Sequence, residues 1–94
     1  MTQLNNMKMN DGSRYFWGSN ANGCASELWK LLPSLPAAEK KKTTGLDESW
    51  LEFTYKGYSF AIHDHWSGVS FIADDPSTPE HHLQRIVQHL ASAC

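Results

Sequence analysis

Two cysteines in 94 residues, Cys24 and Cys94, are too few for a disulfide framework. No C-x-x-C spacing is present to hold structural zinc or run thiol exchange. Six glycines and four prolines exclude collagen-like and Pro/Gly low-complexity chains. No apolar run approaches the roughly 20 residues that a membrane-spanning helix needs. Neither sign of charge prevails: eight Lys and Arg against ten Asp and Glu leave a net charge of -2. There is thus no global basic field to gather nucleic acid. P-loop, G-x-G-x-x-G and G-x-S-x-G fingerprints are missing, and with them the common phosphate-binding and serine-nucleophile loops. Met1 to Asn10 carries no apolar h-region of a secretory signal. These shortages predict a cytoplasmic domain with two free thiols, no cofactor and no membrane partner.

What is present suits one small globular domain. Apolar residues are 40% of the chain and charged residues 19%. Residues 1–12 are polar and aperiodic, and read as a mobile arm. Residues 13–94 read as a single α+β domain. Tyr15-Phe16-Trp17 is a short aromatic run closed by Gly18, compatible with an extra strand over 13–17. Cys24, Leu28, Leu31 and Leu32 recur at helical spacing and predict a first helix over 23–32, ended by Pro33. Residues 33–47 read as an exposed loop bearing Lys40-Lys41-Lys42.

The next stretch alternates. Leu51, Phe53 and Tyr55 interleave with Trp50, Glu52 and Thr54, and Lys56-Gly57 supplies a two-residue turn. Tyr55 then pairs with Tyr58, Phe53 with Phe60, and Leu51 with Ile62. A second turn at Ser67-Gly68 pairs Trp66 with Val69, Asp64 with Phe71 and Ile62 with Ala73. One face of this meander is aromatic and aliphatic, Trp66 included. Asp64 breaks the pattern, since alternation sends a carboxylate to the apolar face. It is acceptable there at a rim, or as an acceptor for a helix N-terminus. Thr78, Pro79 and Glu80 open a second helix as N-cap, N1 and first-turn acid. Its stripe is Leu83, Ile86, Val87, Leu90 and Cys94. The expected architecture is a two-layer sandwich in the order (β)αβββα. A three-stranded, or with 13–17 four-stranded, antiparallel meander carries both helices on one face.

The opposite face is left open, and candidate functional residues fall there. The register sets Trp50 opposite His63, Glu52 opposite Ala61, and Glu48 opposite His65, with Ser70 facing His65 and Ile72 facing His63. An exposed Trp beside an aliphatic residue has the composition of an interface anchor. Trp50, Ile72 and His63 form the expected contact centre, with Glu52 and His65 at its rim. The competing expectation is that the N-terminal arm folds back over Trp50. His63 and His65 are two apart on a strand, roughly 6.5–7 Å at the Cα. With Glu48 they resemble a metal-ligand set, the alternative expectation. His82 and His89 share a helix face, but Arg85 between them opposes a divalent cation. Cys24 lies near a predicted helix N-terminus, where a thiol pKa falls, yet it also sits on the apolar stripe.

The order helix, three strands, helix resembles the double-stranded-RNA-binding domain in topology. That family grips phosphate through a Lys cluster opening its second helix. Here the position reads Thr78-Pro79-Glu80-His81-His82, behind Asp74 and Asp75, so the resemblance implies a fold rather than RNA binding. The stretch from Trp50 to Leu90 also resembles small bacterial domains of unknown function. It shares an aromatic hairpin, an F-x-I-x-D strand (Phe60, Ile62, Asp64), an F-I-x-D-D-P strand end (Phe71 to Pro76) and a closing amphipathic helix. That resemblance implies a bacterial protein without assigned activity, in a size class that includes immunity proteins. The expected function is non-enzymatic protein binding, to a partner or to a second copy. Metal binding through His63, His65 and Glu48 is the alternative, and nucleic-acid contact through Lys40 to Lys42 a weaker one.

Overall fold

The computed structural model describes residues 4–20, 23–45 and 49–93. Six strands form one antiparallel sheet: β1 Met7–Lys8, β2 Arg14–Ser19, β3 Ala38–Gly45, β4 Ser49–Tyr55, β5 Tyr58–His65 and β6 Gly68–Ala73. Their spatial order is β1-β2-β6-β5-β4-β3. Helix α1 spans Ala25–Leu31 and runs into a 3-10 turn over Leu32–Ser34. Helix α2 spans Glu80–Leu90 and closes in a 3-10 turn over Ala91–Ala93. The α+β class stands, but the expected three- or four-stranded meander is corrected to six strands. Four of them lie between the helices, so the helix, three strands, helix order behind the RNA-binding resemblance is not the order of this chain.

Both added strands have physical reasons for escaping the sequence pattern. β3 occupies most of the stretch expected to be a loop. It is an edge strand of exposed Glu39, Lys40, Lys41 and Lys42, with no apolar alternation to mark it. Lysine on an edge is a common guard against pairing with another chain. β1 has two residues and sits at the other edge. From Leu4 onward the expected arm is joined to the domain: Leu4 packs on the core, and the Asn5 N–H donates to the Phe16 carbonyl at 2.8 Å. Met1 to Gln3 lie outside the described residues.

The first hairpin has the register expected of it. Tyr55 pairs with Tyr58, Phe53 with Phe60, Leu51 with Ile62 and Trp50 with His63. Lys56 and Gly57 both take positive φ, 54° and 84°, as the tight turn requires. The second hairpin is corrected by two residues. His65 pairs with Gly68, Asp64 with Val69, Ile62 with Phe71, and His63 with Ser70. The turn is Trp66-Ser67, which carries Trp66 off the core face to 82% exposure. Gly68 is a strand residue chosen for close approach, because a Cβ there would stand 2.3 Å from the Ser19 carbonyl oxygen. A two-residue slip preserves the alternation, so the rest of the face is unchanged.

Both helices cover that face. Leu28 and Leu32 from the first helical segment, and Leu83, Ile86, Val87 and Leu90 from α2, are buried against it. Phe60 stands at the centre, 5.4 Å from Phe53 in a stack and 6.1 Å edge-on to Phe16. The β-bulge between Tyr15 and Trp17 turns both Phe16 and Trp17 toward this layer, where Trp17 meets Phe71 at 5.0 Å. Asp64 is buried on the same side and accepts from the Gly23 and Ala25 N–H groups, each at 3.0 Å. It therefore ties the start of α1 to β5, the capping role that made a carboxylate acceptable there. Thr78 does not cap α2. Its hydroxyl donates to the Asp75 carbonyl at 2.6 Å, and Pro79 holds the cap position. Cys24 is disulfide-bonded rather than a free thiol, which also removes it as a nucleophile. Cys94 lies outside the described residues.

Candidate functional site

Among the described residues no helix covers the other face of the sheet. Strand alternation in β4, β5 and β6 directs Trp50, Glu52, Ala61, His63, His65, Ser70 and Ile72 to it. Trp50 and His63 occupy a cross-strand pair, and their rings stack with centroids 4.0 Å apart and planes 7° from parallel. His63 continues to His65, whose ring centroid is 4.8 Å away. His65 is itself held: Nδ1 lies 2.8 Å from the Ser67 hydroxyl and Nε2 3.3 Å from that of Ser70. Three rings thus form a short ladder across β4 and β5, with Trp50 37% exposed at its end.

Beside the ladder lies an open cleft of about 310 Å³. Ala61 and Ile72 are paired across β5 and β6 and form its apolar floor. Ile72, expected at the surface of the contact centre, is only 6% exposed and lies deep in that floor. Trp50 stands on one wall, Met9 on another. Three carboxylates surround it: Glu52 from β4, Asp74 just after β6, and Asp11 from the turn between β1 and β2. Asp11 is fixed by Ser13, whose N–H and hydroxyl donate to Oδ1 at 3.0 and 2.6 Å. Those bonds hold its carboxyl below the usual carboxylate range. Asp74 moves the other way, pushed up by burial and then by the charges of Glu52 and Asp11.

The expected contact residues are therefore brought together on one face, though not as one flat patch. Trp50 joins two halves, the ring ladder with His63 and His65 and the cleft with Glu52 and Ile72. Met9, Asp11, Ser13 and Asp74 were not among the candidates. The signal for the first three was Asn10-Asp11-Gly12, since Asp-Gly between extended segments is a strong hairpin marker. The arm does reach the open face, but beside Trp50 rather than over it.

The metal alternative gains no further ligand. Glu48 lies outside the described residues, both nitrogens of His65 already face hydroxyls, and no group of three metal-binding side chains forms among the described residues. The Lys run is divided by a β-bulge between Lys40 and Lys42. Lys40 is opposite Phe53 on the helix side, and its Nζ lies 4.7 Å from the Trp29 ring centroid. Lys42 is opposite Glu52 on the open side. The run makes no single basic patch for a phosphate backbone.

Fold and face together define a two-layer α+β domain with an open antiparallel sheet. No protein-family model, curated protein or solved structure matches the chain. Among the described residues no helix is long and apolar enough to cross a membrane.

Proposed function

We propose that the chain is a non-enzymatic protein-binding domain that presents the open face of its sheet, centred on Trp50, to a partner. The observation that carries this is the partly exposed Trp50, its ring stacked on His63 and bordering a cleft with an apolar floor. A rigid aromatic at the edge of a recess is the usual form of an interface anchor. His63 and His65 hold that ring in place, while Glu52 and Ile72 shape what enters beside it. Self-association through the same face is the related form of this proposal, and an immunity-type role would use the face in the same way. The guarded β3 edge favours the face over edge pairing.

The test is co-purification of wild-type and Trp50→Ala protein from the source cell, with solution mass measured on each. A stoichiometric partner or dimer that Trp50→Ala loses supports the proposal. A monomer whose Trp50→Ala variant keeps every partner overturns it. For location, the cytoplasm expected from the sequence stands against the disulfide at Cys24, a bond that reducing compartments rarely keep. Mass analysis after alkylation of protein taken directly from cells distinguishes the two.

A further inference from the structure

We infer that the cleft beside Trp50 receives an arginine side chain of the protein partner. This deepens the proposed function and rests on it. Three features of the cleft lining match that group. The floor of Ala61 and Ile72 suits an aliphatic stem, which buries readily while its charged head stays near water. The Trp50 ring on the wall suits a flat cation, and guanidinium stacks on indole better than ammonium does. The carboxylates of Glu52, Asp74 and Asp11 also line it, and Glu52 and Asp74 are exposed.

Charge complementarity selects the occupant. Among the described residues no basic side chain lines the cleft. Neither Glu52 nor Asp74 has a side-chain hydrogen bond or ion-pair partner among the described residues. Lys42, opposite Glu52 on β3, does not line the cleft, and Arg14, opposite Ala73, is engaged by Glu80 and the Asn5 carbonyl. The carboxyl of Asp74 is raised by burial and by the neighbouring Glu52 and Asp11, so a cation would relieve a repulsion that the free domain carries. Carboxylates from three separate elements converge on one space, and a guanidinium with five donors can serve more than one of them. An anionic or neutral side chain would leave them facing each other.

The experiment is a titration of the whole domain with N-acetyl-arginine methylamide, followed by backbone and indole N–H resonances. Its arms are the citrulline counterpart, which keeps the shape and loses the charge, and the lysine counterpart. The expected result is saturable shifts at Ala61, Ile72 and the Trp50 indole. Citrulline should bind at least fivefold more weakly, and lysine more weakly than arginine. Glu52→Gln and Asp74→Asn, both at exposed positions, should each weaken binding at least threefold without altering the remaining spectrum. Equal binding of citrulline, or shifts that map away from the cleft, overturns the inference. Partner capture separates this failure from failure of the proposed function. A partner lost with Trp50→Ala but kept by the Glu52→Gln and Asp74→Asn variants leaves the interface standing and removes the arginine. A partner kept by Trp50→Ala, together with saturable arginine binding in the cleft, retains the cation site and removes the interface.

Discussion

The two faces of the sheet are built from the same three central strands and differ in what their alternate residues do. On the helix side, Phe53, Phe60, Ile62 and Phe71 are buried among leucines from both helices. On the open side, the intervening positions are Glu52, Ala61, His63 and Ser70, and the largest ring is left partly in water. One face is specified by packing against the helices, whereas on the other Ile72 is buried and the remaining positions stay partly or largely exposed. A residue that is large and aromatic on the second face therefore asks for a different explanation from one on the first. Asp64 makes the same point in reverse. It is a carboxylate on the packed face, and it is explained only by the two N–H groups it accepts.

Mutation should reproduce this asymmetry. Phe60→Ala removes the ring at the centre of the packed layer and is expected to cost about 3–5 kcal/mol, read by denaturant unfolding. Asp64→Ala leaves the Gly23 and Ala25 N–H groups without their acceptor and should cost about 1–3 kcal/mol. Amide exchange of Ala25 should rise with it. Trp50→Ala on the open face should cost about 1 kcal/mol or less in stability, the worth of its stacking on His63. The same variant should weaken partner binding by more than about 1 kcal/mol. A Trp50→Ala variant as unstable as Phe60→Ala would erase the distinction between the faces.

Asp74→Asn sharpens the open side further. The Asp74 carboxyl is raised by burial, Glu52 and Asp11, so the folded state favours its protonated form. Its contribution is present at low pH and is lost as pH rises through the raised value. A neutral Asn should thus stabilise the domain at pH 7, by at most about 0.5 kcal/mol, since the group is largely exposed. The gain should fade below the ordinary value of 3.8.

The two hairpins show why one part of the fold was legible and another was not. Lys56-Gly57 is flanked by strands whose only consistent pairing is the observed one, and both residues need positive φ. In the second hairpin, Gly68 was equally plausible as a turn residue. Its actual constraint is the Ser19 carbonyl of β2, a contact between segments far apart in sequence. Periodicity alone could not reveal it. The edges failed for a related reason: β3 and β1 bury little, so neither carries the alternation by which strands are recognised. The ring half of the candidate site followed from the first hairpin, so Trp50 and His63 were legible as neighbours. The cleft depended on Met9, Asp11 and Ser13, which a short strand brings to the face from a segment without pattern. Ile72 was placed on the right face but not at the right depth.

The smallest expected effect tests the far end of the packed face. His82 of α2 lies 5.6 Å from the Tyr55 ring and 5.7 Å from that of Tyr58, with His81 4.2 Å away. Burial against these rings, then the charges of His81 and Lys56, lowers its pKa from the ordinary 6.5. A base with a lowered folded pKa binds its proton more readily when unfolded. Its contribution to stability is therefore present above 6.5 and lost as pH falls through that value toward the lowered one. His82→Gln should flatten the slope of stability against pH just below 6.5, with no change at pH 8. His81→Gln should weaken the slope less, because it removes only a secondary cause. Denaturant midpoints at several pH values would read both. An unchanged slope in His82→Gln would mean that α2 does not press this ring against Tyr55 and Tyr58 in solution. The packed face would then be looser at the β4–β5 turn than at its centre.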